Sequence, residues 1–226
     1  AKNVGAGTLE ISQPLYGAAG TRTYSFSRYK YMLDFSGFDL LSRFELEDIE
    51  FNCLGISSGV MLAKAGSTQR FVSCSFNRPL DRGISSPGLG CQGMFVDMCQ
   101  FLSNEQALPA IERTTVAMNV QANDTKLRNN RIVRFAHFAI MNGTGHLIHA
   151  NHFFQGDDEP AGLRRAGLVL TQTNVSTVIT GNYIDNCFIE WGNEHDSAPE
   201  WNNEFSFGGL NIFGNVFIGS YMATAA

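Results

Sequence analysis

Four stretches of the chain share one alternation of apolar and polar positions: "KLRNNRIVRF" from 126, "LIHANHFFQG" from 147, "VITGNYIDNC" from 178 and "NIFGNVFIGS" from 211. Each passes from apolar residues into an asparagine (Asn130, Asn151, Asn182, Asn215) and reaches another large apolar residue two places later. The asparagines follow one another at 21, 31 and 33 residues. A phrase that recurs at roughly 20–50 residues marks a repeat architecture.

Carried backwards, the asparagine position falls on Cys99, Cys74 and Ile49, with gaps of 31, 25 and 25 residues. The large apolar partners become Phe51, Phe76, Phe101, Ile132, Phe153, Ile184 and Phe217. Gaps this uneven exclude a solenoid of helical pairs and fit a chain that turns a fixed corner between variable loops. The segments around each phrase are short, rich in Val, Ile, Phe and Thr, and bounded by Gly and Asn, which predicts strands. A further strand precedes the phrase at "GVMLA" (59), "TVAMNV" (115), "FAIMNG" (138), "AGLVLTQ" (166) and "FIEWGN" (188), giving about three strands per repeat. The nearest helix candidate after residue 45, "SNEQALPAIERT", is interrupted by Pro109. A β-sandwich or antiparallel barrel would need hairpin dipeptides between neighbouring strands, and these are missing.

Equivalent strands of successive repeats are therefore expected to run parallel, about 4.8 Å apart, with like residues stacked on like. The corner asparagines are expected to take left-handed backbone angles and to bond one another up a ladder. At positions 49, 74 and 99, where Ile or Cys replaces Asn, the ladder is expected to break and the N-terminal repeats to be less regular.

The phrases at 130, 151, 182 and 215 resemble the right-handed parallel β-helix of the pectate-lyase-like superfamily, which includes many bacteriophage tailspikes and polysaccharide-degrading enzymes. The resemblance covers roughly residues 45 to 220, and "YMLDFSGFDLLSRFELEDIEF" is similar to the lead-in of such proteins. It implies an all-β solenoid of about seven or more coils over residues 46–226, behind a lead-in or capping segment at 1–45. It also implies an extracellular or virion-associated protein, a trimer, and glycan bound along the outer face of one stacked sheet.

Composition narrows the partners. Net charge is −5, and lysine occurs only at 2, 30, 64 and 126, so there is no positive footprint for nucleic acid. No window approaches the roughly 18 apolar residues of a membrane-spanning helix. The five cysteines lack metal-ligand spacing, and Cys74 and Cys99 sit inside the repeat as small apolar filler, so neither a zinc site nor a disulfide framework is expected. No cofactor is implied. The chain starts without an initiator Met or a signal-peptide pattern and reads as a piece of a larger or processed protein. A β-helix must cover its two ends, so a neighbouring domain or a second copy is expected over the C-terminal one.

Candidate chemistry lies in the long loops. The richest, "WGNEHDSAPEWNNEFSFGG", carries Glu194, His195, Asp196, Glu200 and Glu204 beside Glu190 and both tryptophans, Trp191 and Trp201. Carboxylates next to an aromatic platform suit a glycosidase, in which one acid protonates the leaving oxygen and another activates water or attacks. Glu190, Glu194 and Asp196 are the first catalytic candidates, with Trp191, Trp201 and His195 as sugar contacts; a solvated acidic loop with two anchoring tryptophans is the bland alternative. Asp157 and Asp158, followed by Arg164, form a second candidate that also reads as an exposed, charge-paired loop. His146, His149 and His152 do not share a strand face, so no metal site is expected. A uronate lyase is disfavoured by the scarcity of basic residues. Met61, Ala117 and Val169 read as outward positions too apolar for an open groove and suited to packing against another chain or a lid. Three functions fit this sequence: a polysaccharide-recognising domain of a tailspike or surface fibre, with glycan hydrolysis as its added activity; a non-catalytic structural shaft or adhesin segment; or a secreted glycoside hydrolase.

Overall fold

A computed structural model describes residues 2–5, 8–10, 30–38, 43–64, 66–86, 88, 91–156, 166–191 and 206–219. Their structure is all-β, and apart from one antiparallel pair, β1 (Lys2–Gly5) with β2 (Thr8–Glu10), every strand pairing is parallel. That disposes of the sandwich and the antiparallel barrel. The rest of the described chain runs as repeats of three strands. The first holds β3 (Tyr31–Asp34), β4 (Phe44–Glu47) and β5 (Glu50–Asn52); the second β6 (Ser58–Met61), β7 (Gly66–Val72) and β8 (Ser75–Asn77). The third holds β9 (Arg82–Ser85), β10 (Cys91–Asp97) and β11 (Gln100–Leu102); the fourth β12 (Val116–Asn123), β13 (Lys126–Arg128) and β14 (Arg131–Val133). The fifth holds β15 (His137–Thr144), β16 (Leu147–His149) and β17 (His152–Phe154); the sixth β18 (Ala166–Val175), β19 (Val178–Thr180) and β20 (Tyr183–Asp185). The last contains β21 (Phe188–Trp191), β22 (Ser206–Gly208), β23 (Asn211–Phe213) and β24 (Val216–Ile218).

The third strand of every repeat joins one seven-stranded parallel sheet, in the order β24-β20-β17-β14-β11-β8-β5. The first and second strands stack likewise and are joined through β10 and β12 into a fifteen-stranded sheet. Parallel stacking begins at β3, inside the segment expected only to lead in. The helix candidate at 103–114 is a turn followed by a 3-10 helix at Ala110–Glu112, directly after Pro109, which has no N–H to continue a longer helix.

Register follows the repeated phrase. Phe51, Phe76, Phe101, Ile132, Phe153, Ile184 and Phe217 are direct partners from repeat to repeat. Those before Phe217 are buried, and the rings of Phe51, Phe76 and Phe101 stack nearly parallel at 4.8 and 4.7 Å. Each buried ring contributes roughly 1.5–3 kcal/mol. Room for them is made across the core: a Cβ on Gly59 would lie 2.9 Å from the Phe76 ring, and one on Gly83 3.0 Å from Phe101. Where Ile132 and Phe153 replace those stacked rings, Phe138 takes the position of Gly83 and stacks on Phe153 at 5.2 Å.

The corner corrects two expectations. The left-handed residue is the one before the asparagine: Asn129, Ala150, Gly181 and Gly214 have φ of 55°, 55°, 67° and 64°. The asparagines themselves are spent on bonding. Each Nδ2 donates to the Oδ1 of the next asparagine, Asn130 to Asn151 at 2.9 Å, Asn151 to Asn182 at 2.9 Å and Asn182 to Asn215 at 2.8 Å. Each Oδ1 also accepts the preceding corner's backbone N–H, at 2.9–3.0 Å, and each Nδ2 reaches a carbonyl one repeat back (Val96, Leu127, Ile148, Ile179). Cysteine does not break this column. The Cys74 and Cys99 thiols donate to the equivalent carbonyls of Leu46 and Phe71, at 3.3 and 3.5 Å, and their repeats keep the same register. All five cysteines are buried and none forms a disulfide, and burial pushes Cys53 and Cys91 up to about 11.

Ala150 holds a left-handed angle that the next two repeats give to glycine. Relief of the Cβ penalty, about 1–2 kcal/mol, exceeds the extra chain entropy of glycine, about 0.5–1 kcal/mol. Ala150→Gly is thus expected to raise stability by about 0.5–1 kcal/mol, read as a higher urea midpoint at unchanged slope; an unchanged or lower midpoint would refute this reading of the corner.

Candidate functional site

On a strand with one buried central residue, the residues before and after it face outward. In the seven-stranded sheet this makes two outward columns. One runs Glu50, Ser75, Gln100, Arg131, His152, Tyr183 and Val216; the other runs Asn52, Asn77, Leu102, Val133, Phe154, Asp185 and Ile218. Between the fifth and sixth repeats the columns border a shallow groove of about 480 Å³, lined by Ala150, Asn151, His152, Phe154, Gly181, Tyr183 and Asp185.

Its walls are aromatic. The Tyr183 ring, 41% exposed, stands edge-to-face with His152 at 4.8 Å, and His152 meets Phe154 in the same manner at 6.1 Å. The Arg134 guanidinium lies over the Phe154 ring, 6.0 Å from its centre. Gly181, at φ 67°, carries no side chain to fill the floor between His149 and Tyr183. The polar groups are Asp185 on β20 and His152 on β17, with Arg131 of β14 next to His152 in register. Asp185 is nearly buried and accepts a 2.8 Å hydrogen bond from Asn186 Nδ2. Burial of the His152 ring, aided by the Arg131 guanidinium, lowers its pKa from the ordinary imidazole value, with Asp185 opposing. The ring is therefore neutral at neutral pH, and its Nε2 has no hydrogen-bond partner.

Such a surface offers a ring face for the apolar side of a sugar, with a carboxylate, an imidazole and a guanidinium for its hydroxyls. Glycosidic hydrolysis asks for two carboxylates facing across the bond. Among the described lining residues the groove presents one, Asp185.

Of the site residues read from the sequence, Glu190 and Trp191 lie among the described ones; Glu194, His195, Asp196, Glu200, Trp201, Glu204, Asp157, Asp158 and Arg164 lie outside them. β21 separates the two that are described. Glu190 continues the column of Asn119, Ile140 and Val169 and is nearly buried, whereas Trp191 continues the interior column of Val120, Met141 and Leu170. Met61 shares Glu190's column through Ser85, and Val169 there is buried. Ala117 is not outward at all, because it occupies the interior column of Gly83 and Phe138. The three histidines diverge: His146 is buried at a corner, His149 bonds the Thr180 carbonyl at 3.1 Å, and His152 enters the groove.

Sequence reasoning passed over Tyr183, Arg131 and Asp185 and weighed His152 only as a metal ligand. The signal was present, since the variable position just after each corner asparagine is the outward column. No helix among the described residues is long and apolar enough to cross a membrane. In comparisons with known proteins, no family model, no curated protein and no solved structure matches the chain.

Proposed function

We propose that the repeats coil as a right-handed parallel β-helix and that the outer face of its seven-stranded sheet binds polysaccharide, as part of an extracellular or virion-associated fibre. The observation that carries this reading is the groove between β17 and β20, lined by the exposed Tyr183 ring, His152 and Asp185, with Arg131 next to His152 in the same outward column. Uniform parallel pairing and the corner column support the helical path. A single carboxylate among the described lining residues favours recognition over hydrolysis. A purely structural shaft is the second reading, favoured by the exposed apolar residues of the last repeat.

The test is titration of the chain with a panel of neutral and acidic polysaccharides, followed by intrinsic fluorescence and calorimetry. Tyr183→Ala removes the stacking face and is expected to weaken the best ligand about tenfold or more, that is by at least ~1.4 kcal/mol, without changing the far-UV spectrum. Saturable binding that Tyr183→Ala leaves untouched would move the site elsewhere; no binding across the panel would favour the shaft. Sedimentation gives the oligomeric state, for which the fibre reading expects a trimer.

A further inference from the structure

Three of the interior columns of the stack surface at its C-terminal end. Trp191 follows Leu170, Ile212 follows Ile179 and Phe217 follows Ile184 in register. Their predecessors are buried, while these three are 57%, 36% and 52% exposed. At the other end Phe35 stacks on Phe44 at 4.1 Å, Phe44 meets Phe71 edge-on and Phe51 is buried, and Leu33, ahead of buried Val60 in register, is exposed to the same 36% as Ile212. Exposed apolar surface alone does not say what covers it. The hydrogen bonds at the final corner do.

Every inner corner asparagine makes three contacts with the repeat that follows. Its backbone N–H and its Nδ2–H donate to the next asparagine's Oδ1, and its backbone carbonyl accepts the N–H of the residue after that asparagine. For Asn182 these are Asn215 Oδ1 at 3.0 and 2.8 Å and the Val216 N–H at 2.8 Å. For Asn151 they are Asn182 Oδ1 at 2.9 and 2.9 Å and the Tyr183 N–H at 2.8 Å. Asn215 keeps the backward bonds of its predecessors, from Nδ2 to Ile179 at 2.9 Å and to Phe213 at 3.2 Å. Among the described residues nothing takes its three forward positions.

We infer that the C-terminal end is a docking site for a further parallel β-repeat, borne by another polypeptide or domain, with an asparagine at the same corner. The geometry fixes its chemistry. Its asparagine Oδ1 accepts from Asn215 N–H and Nδ2–H, and its next backbone N–H donates to the Asn215 carbonyl. An apolar residue three places before that asparagine covers Ile212, and one two places after it covers Phe217. A third apolar side chain, from the strand opposite, covers Trp191. The inference rests on the stacking alone and is independent of glycan binding.

The probe is a terminally blocked peptide of the chain's own residues 147–156, LIHANHFFQG, which already makes these contacts one level further back. Added to the intact chain, it is expected to bind saturably and to slow amide hydrogen exchange in β23 and β24. Replacing its asparagine by leucine removes the acceptor for two donors and is expected to weaken binding about 10–100-fold. Phe217→Lys in the chain, at a half-exposed position, is expected to abolish binding while the far-UV spectrum stays that of the folded chain. Equal binding of the two peptides, or binding of neither, overturns the inference. So does self-association of the free chain that Phe217→Lys abolishes, since the occupant would then be a second copy meeting the same end.

Discussion

Asn151→Leu is expected to destabilise the chain by about 3–5 kcal/mol. The substitution keeps the side chain's size and branched shape while removing its carboxamide, so the loss measures hydrogen bonding and not a cavity. Asn151 is buried, and its Oδ1 accepts both the Asn130 N–H at 3.0 Å and Asn130 Nδ2–H at 2.9 Å. Its Nδ2 serves the Leu127 carbonyl and Asn182 Oδ1. Leucine leaves two donors and a carbonyl short of partners where water does not reach, and each such group costs about 1–3 kcal/mol. Asn215→Leu disturbs the same contacts at the exposed end, where solvent replaces them, and is expected to cost about 1 kcal/mol. Asn151→Cys should fall between Leu and wild type, because thiols at 74 and 99 already satisfy the equivalent carbonyls. Equilibrium urea unfolding of the three variants checks the order. A cost for Asn151→Leu no larger than that for Asn215→Leu would mean the column is not a bonded unit.

Acidification from pH 6.5 towards pH 4 is expected to remove about 3 kcal/mol of stability through one residue, His146. Its ring is buried, in the column of residues that precede β13, β16 and β19, between Thr125 and Thr177, whose hydroxyls, like both its ring nitrogens, have no hydrogen-bond partner. Burial lowers its pKa from 6.5 to about 4; the Asn142 backbone, near the ring but outside hydrogen-bond geometry, and the Asp124 carboxylate oppose this only in part. The sign follows from proton uptake. Between the two values the unfolded chain holds the proton and the folded chain does not, so stability is complete above pH 6.5 and falls as pH drops towards 4. Met94 and Leu210 occupy the same column, so His146→Leu fits its chemistry. That variant should flatten the pH 4–6.5 limb of the stability curve. An unaltered limb would place the acid-sensitive group elsewhere.

The extent to which the sequence discloses this molecule depends on which residues face inward. Phe51, Phe76, Phe101, Ile132, Phe153, Ile184 and Phe217 are legible because the core repeats its demand at every level, and the register derived from them matches the strand partners one for one. The corner was legible in position but not in mechanism. Asparagine tolerates left-handed angles in general, yet here Asn129, Ala150, Gly181 and Gly214 take them, and the buried amides are left free to bond along the stack. Cysteine looked like an interruption because a thiol is a weak donor, and only the distance to the Leu46 and Phe71 carbonyls shows that it fills the same role. The groove was legible in position, as the column after each corner asparagine, but not in chemistry. Arg131, His152 and Tyr183 share no residue type, and they become neighbours only through loops that return each strand to the same register. Trp191 was drawn towards sugar chemistry by the acidic loop that follows it, whereas pairing with Leu170 places it in an interior column.

The groove, the buried histidine and the open end all depend on one proposition, that each corner asparagine bonds the next across 21, 31 and 33 residues. The measurement that reaches it most directly is a proton NMR contact map of the asparagine side-chain amides in uniformly labelled protein. Contacts from Asn130 to Asn151, Asn151 to Asn182 and Asn182 to Asn215, in that order and with no others among the four, are the predicted result. Side-chain amides that exchange rapidly with water, or that contact residues of the adjacent strand in the antiparallel sense, would contradict it.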